Sequence, residues 1–394
     1  MKKLICFLIS CSVVLFIASC SGDRKAAFQT YDLSDVTDSI DFNLSEIVDD
    51  IRVIPLETDS SFLLKGLKIS VSDSYIVTLN DDAVHLFDAV TGKHIRQLAV
   101  KGRGPNEYNF IYSGVIDDAR NMFYLSQQIN RTVLGIDLET GGVRNMKSSV
   151  KTALDLMFVS PEGNIYTSND SLMFAVLDTR TGEVTGMIDS LNLPDRKSGI
   201  KFPFPMWEGL GGVSLASNQD EIYLYSRIYN DTVYRFVPPS GLQKEFSLTH
   251  RNEFTADKGL LFTVSYISDK HLFCRPCEIE LRKDKNGRIN GVTSRTRAVY
   301  HVNRKNGERK VVRRFIADDL GGLRLPAMMT KLGGMYTGKH IFAIAVNAYK
   351  VKAEIEKLLE KGGLPDNRKA YLQELNGRLT EESNPVVFIG TRKK

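Results

Sequence analysis

Val84-His85-Leu86-Phe87-Asp88 runs into Thr91-Gly92-Lys93, and the same order of residues returns twice. Leu134-Gly135-Ile136-Asp137 leads to Thr140-Gly141-Gly142, and Ala175-Val176-Leu177-Asp178 leads to Thr181-Gly182-Glu183. Each copy is an apolar strand, an aspartate, two residues and Thr-Gly. Weaker copies occur at Val233-Tyr234-Arg235-Phe236 with Ser240-Gly241, and at Val299-Tyr300-His301-Val302 with Asn306-Gly307. The glycine supplies the positive φ of a tight hairpin turn, and Asp, Thr or Asn supplies side-chain hydrogen bonds to the turn backbone.

Upstream of the turns lie short runs rich in aromatic and β-branched residues, which read as strands. They are centred on Tyr75, Phe123, Tyr166, Tyr223, Phe273 and Phe342, at intervals of 48, 43, 57, 50 and 69 residues. A repeat of roughly 40–50 residues with four short strands is the period of a propeller blade. One such sheet cannot bury both of its faces, so six packed radially make a continuous core. The expected fold is therefore all-β, a six-bladed β-propeller. Ile51–Leu56 and Pro385–Ile389 are strands at opposite ends of the chain. Pairing them in one blade would remove the two open edges of the ring.

From Ala348 to Leu379 the pattern changes. Val351, Ile355, Leu358 and Leu359, then Leu372, Leu375 and Leu379, recur at helical spacing, with Gly362-Gly363 and Pro365 between the two series. This predicts a helical hairpin, residues 348–380, inserted in the last blade with its apolar stripe on the propeller.

The first residues carry a different message. Lys2 and Lys3 precede an apolar run, Leu4 to Ala18, that ends in small residues before Cys20. A run of about fifteen residues at about 1.5 Å each is short of a hydrocarbon core about 30 Å thick, so it reads as a secretory signal and not a permanent span. The expected organisation is a signal peptide at 1–19, an N-terminal tether at 20–45 and the propeller at 46–394. Residues 1–19 hold two lysines and no acid, so their removal leaves 50 basic and 47 acidic residues. So balanced a surface gives no electrostatic footprint for nucleic acid.

Several motifs together resemble the six-bladed β-propeller lipoproteins of Bacteroidota-type bacteria, within the NHL/TolB-like propeller superfamily. They are Ile17-Ala18-Ser19-Cys20, Ile54-Pro55-Leu56-Glu57-Thr58, Lys101-Gly102-Arg103-Gly104-Pro105-Asn106-Glu107-Tyr108, Asn230-Asp231-Thr232-Val233-Tyr234-Arg235 and, after the helical insertion, Asn384-Pro385-Val386-Val387. The first looks like a bacterial lipobox, which implies cleavage before Cys20 and lipidation of its thiol. Ser21 stands where an inner-membrane retention signal usually has Asp, so the resemblance implies an outer-membrane lipoprotein of the cell envelope, held by its N-terminal lipid. It implies no catalytic motif.

For function, Lys101–Tyr108 is the segment expected to line a working face. Arg103, Glu107 and Tyr108 could offer a cation, an anion and an aromatic plate; the alternative is a blade linker whose charges pair with one another. Trp207, the only tryptophan, lies in the proline-stiffened Lys201–Trp207, which could stack on a sugar or peptide ring or fill the channel. Cys274-x-x-Cys277 leaves open two separate thiols, a disulfide, or part of a redox or metal site. On a regular strand residues i and i+3 sit roughly 10 Å apart on opposite faces, too far for a disulfide unless Pro276 bends the chain. Gly102-x-Gly104 lacks the third glycine of a dinucleotide fingerprint, so no cofactor is expected. The six histidines form no metal motif by spacing, and no stoichiometric metal is expected. The leading expectation is a binding or scaffolding module that recognises a glycan, a peptide or an envelope protein. The rival is a metal-dependent hydrolase or lyase, lactonase-like, with acids from distant blades gathered at the central channel.

Overall fold

The computed structural model describes residues 28–64, 66–80, 82–104, 107–127, 132–146, 155–168, 172–189, 213–218, 221–226, 231–237, 241–250, 258–296, 298–327 and 335–393. Within them the chain is almost wholly strand and turn, with two α-helices, and its strands form six hydrogen-bonded sheets in a propeller-like arrangement.

Sheet I contains Ile69–Val71, Tyr75–Leu79, Ala83–Asp88 and His94–Val100, each antiparallel to the next. Sheet II repeats the meander with Ile111–Asp117, Met122–Gln127, Val133–Asp137 and Val143–Met146. Sheet III does so with Asp155–Val159, Ile165–Ser168, Leu172–Leu177 and Val184–Asp189. Val213–Asn218, Glu221–Ser226, Thr232–Val237 and Gly241–Thr249 make sheet IV. The meander of sheet V is Lys258–Ile267, His271–Lys283, Val299–Asn303 and Arg309–Ala317, with Ile289–Thr296 and Leu323–Pro326 added to it.

Sheet VI joins the two ends of the chain, as expected. Met335–Thr337, Ile341–Val346 and Val386–Arg392 are followed in the sheet by Val48–Pro55, with Pro55 opposite Val386 and Val53 opposite Phe388. Asn384 seals the join. Its buried side chain accepts from the Leu64 N–H at 2.8 Å and donates to the Glu57 carbonyl at 2.7 Å.

Both faces of each sheet are buried because each is packed between two others, which explains apolar runs such as Ile341–Val346 where a one-sided sheet would alternate. Separate clusters fill the joints. Phe123 and Leu134 meet Val77 and Leu86 between sheets II and I, and Tyr124 and Met146 meet Leu156 and Ile165 between II and III. Phe174 meets Leu224 and Tyr234 between III and IV, and Phe246 meets Leu272 and Val302 between IV and V. Phe273 and Phe315 meet Phe342 and Phe388 between V and VI, and Val387 and Ile389 meet Ile76 and Phe87 between VI and I.

The repeated Asp-x-x-Thr-Gly proves to be one turn made several times. The Asp88 carboxylate accepts from the Thr91 N–H at 2.6 Å and from its hydroxyl at 2.7 Å, and Asp137 accepts from the Thr140 N–H at 2.7 Å. The glycine N–H returns to the aspartate carbonyl at 2.9 Å in the turns at Gly92, Gly141 and Gly182, where φ is +72°, +76° and +77°. Asn303 replaces aspartate in sheet V and accepts from the Lys305 N–H at 3.0 Å.

One expected boundary changes. The tether expected up to residue 45 includes two strands: Gln29–Asp32 runs parallel to Gly241–Thr249 at the edge of sheet IV, and Ser39–Asn43 runs parallel to Arg309–Ala317 at the edge of sheet V. The reason is apolar burial. Phe42 lies edge-on to Phe273 at 4.9 Å and to Phe315 at 6.2 Å, and Tyr31 and Leu33 are buried against sheet IV. Burying a phenylalanine contributes about 1.5–3 kcal/mol, enough to hold a short strand.

The helical hairpin is present as α1, Ala348–Lys361, and α2, Asp366–Arg378. Val351, Ile355, Leu372 and Leu375 bury their stripe against Leu320, Leu323 and Leu325 beside sheet V.

Candidate functional site

Among the described residues of the expected working loop, Arg103, Glu107 and Tyr108 are not presented on one face. Glu107 folds back on its own loop, its carboxylate accepting from the Gly104 N–H at 2.7 Å. Tyr108 is fully buried in the joint between sheets I and II and donates its hydroxyl to the Asn80 carbonyl at 3.1 Å. It is core, not an aromatic plate; the loop must turn inward there to start the next sheet. Arg103 is exposed. Trp207 and Cys20 lie outside the described residues.

Nor is the Cys274–Cys277 disulfide made. Cys274 is a free, buried thiol on the continuous strand His271–Lys283, and burial pushes it up to about 12. Pro276 is accommodated within the continuous strand because it stands where the strand changes partner, from Val299–Asn303 to Ile289–Thr296, and its missing N–H disturbs neither of those ladders.

A polar bowl of about 790 Å³ opens between sheets IV and V, under the N-terminal strand Gln29–Asp32. Alternation along the strands builds it. Glu221 and Tyr223 are two apart on one strand, Arg235 lies directly opposite Tyr223 on the next, and Glu245 stands on Gly241–Thr249 at a register shift. Sheet V contributes Arg304 from its Asn303-Gly307 turn.

These side chains form a network of charge-assisted hydrogen bonds joined by one ion pair. Tyr223 donates to Glu221 at 2.6 Å, and Arg235 Nη1 donates to the other oxygen of the same carboxylate, also at 2.6 Å. The Arg235 Nε lies 3.5 Å from Glu245, whose second oxygen accepts from Arg304 at 2.6 Å. Arg304 also donates to the Ser268 carbonyl at 2.8 Å and stacks over the Phe246 ring at 5.1 Å. Burial pushes the Tyr223 hydroxyl up, and its bond to Glu221 adds to this, so the phenol remains a donor. Burial opposes ionisation of Glu221, but the Tyr223 and Arg235 hydrogen bonds outweigh it and hold the carboxyl below its ordinary value. Arg235 is raised, chiefly by its bond to Glu221.

The bowl therefore presents fixed acceptors and donors side by side. Three acids, Glu221, Glu245 and Asp269, face three bases, Arg235, Lys244 and Arg304. It has no net charge to attract an ion, and it suits a ligand with many hydroxyl or amide groups. Sequence reading missed it because its members come from three distant segments. One signal was available: Asn230–Arg235 was singled out as a motif without a role for its arginine.

A family model described as a domain of unknown function, DUF4934, matches residues 28–391. The chain belongs to this family. The match begins at the N-terminal strands, in accord with residues 29–43 being part of the folded unit. Comparison with curated protein sequences returns no match. Among solved structures, a Bacteroides fragilis protein described as exported is similar over 92% of this chain and 99% of its own, with 15% identity and a TM-score of 0.53. The extracellular domain of a two-component system of Bacteroides thetaiotaomicron matches 60% of this chain and 28% of its own, at 14% identity and a TM-score of 0.36. The WD40 β-propeller domain of Doa1 matches 65% and 83%, at 12% identity and a TM-score of 0.37. The first of these likenesses supports the fold of this DUF4934 chain. Among its described residues, no helix is long and apolar enough to cross a membrane, and no group of three or more His, Cys, Asp or Glu side chains is placed to hold a metal ion.

Proposed function

We propose that this chain is an exported binding lipoprotein, anchored in the outer membrane through Cys20. In this reading its six sheets are the blades of one closed propeller, and the bowl between sheets IV and V recognises a glycan. The carrying observation is the Glu221–Arg235–Glu245–Arg304 network with Tyr223. Neighbouring hydroxyls on a sugar ring each need a donor and an acceptor, and paired guanidinium and carboxylate groups supply both without net charge. The aromatic floor and the outer strand fix these groups before a ligand arrives, which lowers the ordering cost of binding. A volume of about 790 Å³ is within the usual range of small-molecule sites, roughly 300–1,000 Å³.

The test is calorimetric titration of purified protein lacking residues 1–20 with a panel of neutral oligosaccharides. Glu221→Gln removes one charge at unchanged size, and Arg235→Gln removes one charge while keeping a shorter polar side chain. At least one sugar should bind, and each variant should weaken it by about tenfold, the usual effect of losing a charge-assisted hydrogen bond. Unchanged affinity in both variants, or no sugar binding at millimolar concentration, would reject the glycan reading.

A further inference from the structure

Sheet V forks. Its second strand, His271–Lys283, pairs on one side with Lys258–Ile267 from Leu272 to Glu280. On the other side it pairs with Val299–Asn303 over His271–Cys274 and with Ile289–Thr296 from Cys277 onward. Beyond Cys274 the strands therefore part into two branches. One is a three-stranded arm; the other carries Arg309–Ala317, flanked by Leu323–Pro326 and Ser39–Asn43.

A cavity of about 980 Å³ lies in the fork. Arg275 stands at the branch point, Arg313 and Arg314 on the inner strand of the second branch, and Arg324 on its neighbour. Among the described lining residues the one acid is Asp41, 3.2 Å from the Arg313 Nε. That pair is solvent-accessible, so it stabilises little and an incoming anion can compete for the guanidinium. The rest of the wall is alanine and valine, which leaves room between the arginines.

This is the opposite design from the bowl, where bases and acids balance. Among the described lining residues, four guanidiniums stand against one carboxylate, and in a concave site they concentrate positive potential. Each guanidinium offers a planar fork of donors matched to carboxylate, sulfate or phosphate oxygens. A single small anion would leave most of a cavity of this size empty.

We infer that the fork of sheet V is a second binding site, for a ligand of oligosaccharide or headgroup size that carries two or more oxyanion groups. It stands independently of the bowl. Three probes distinguish the sources: inorganic pyrophosphate, a sulfated disaccharide, and vesicles with and without anionic phospholipid. The Arg314→Ala/Arg324→Ala double variant removes two exposed arginines from the site, and Lys361→Ala/Lys369→Ala removes the same charge from the exposed helical hairpin. At least one probe should bind saturably, about a hundredfold more weakly to the arginine variant and within about twofold to the lysine variant. Binding of a soluble probe identifies a free anionic ligand; binding confined to anionic vesicles identifies a headgroup. Glu221→Gln, in the bowl, should leave this binding unchanged. Equal weakening in the two double variants, or no saturable binding of any probe at low millimolar concentration, overturns the inference.

Discussion

Replacing Gly92 with alanine should damage the protein far more than the same change at Gly307, although both glycines close the same kind of turn at nearly the same φ, +72° and +76°. An L-residue in the left-handed region costs about 1–2 kcal/mol, and alanine recovers part of this by restricting the unfolded chain. At Gly307 nothing else opposes it, because no atom lies within 4 Å of the added Cβ. At Gly92 that Cβ would sit 2.2 Å from the Pro55 carbonyl oxygen and 3.0 Å from an Ile54 methyl group. The turn of sheet I is thus pressed against the Val48–Pro55 strand of sheet VI, and the Glu57 N–H donates to the Gly92 carbonyl at 2.8 Å. Relieving the overlap means moving Val48–Pro55, at an overpacking cost of about 1–3 kcal/mol, with about 1 kcal/mol more for the strained hydrogen bond. The expected losses are about 3–5 kcal/mol for Gly92→Ala and about 1 kcal/mol for Gly307→Ala. Entropy changes typical of a domain this large convert these to falls of about 4–7 °C and 1–2 °C in Tm. Thermal melts followed by circular dichroism, with urea midpoints as a second measure, decide the matter. Equal shifts in the two variants would refute the reasoning.

Two further outcomes follow from buried groups. His271 Nδ1 lies 2.9 Å from His301 Nε2 beneath Phe42, and burial lowers both, His301 to about 4. The unfolded chain therefore binds more protons below about pH 6.5, and stability should fall as pH drops from 6.5 towards 4; His301→Gln should flatten the urea midpoint over that window, and an unchanged profile would discount the pair. Cys274, raised to about 12 by burial, should resist alkylation at pH 8 in the native state and react on unfolding, as mass spectrometry after each treatment would report; rapid native labelling would show the joint between sheets IV and V to be open.

The fold was legible because it is written locally and repeatedly. Asp88, Asp137 and Asp178 each cap a turn a few residues away, so the motif survives without any knowledge of tertiary structure. The helical hairpin showed for the same reason, through Val351, Ile355 and Leu372. The edge strands were hidden: Gln29–Asp32 and Ser39–Asn43 are short and mostly polar, with Tyr31 and Phe42 the buried side chain of each. Tyr108 misled because a glycine-rich loop with flanking charges reads as exposed, whereas its aromatic ring turns into the joint between sheets I and II. Beyond the Asn230–Arg235 motif the bowl and the fork left no mark in the sequence, since Glu221, Glu245 and Arg304, or Asp41 and Arg324, are brought together by the packing of sheets and by the late pairing of an early strand.

The closed propeller proposed above requires Val48–Pro55 to pair with Val386–Arg392, and a cross-link tests that pairing directly. Asp49 and Thr391 stand opposite each other on exposed positions of these strands although more than 300 residues separate them. In the Asp49→Cys/Thr391→Cys variant, mild oxidation of the folded protein should give an intramolecular disulfide, seen by non-reducing mass spectrometry of a proteolytic digest. Closing so long a loop should raise stability by up to about 5 kcal/mol. Two free thiols after oxidation, or only intermolecular cross-links, would contradict the closed ring.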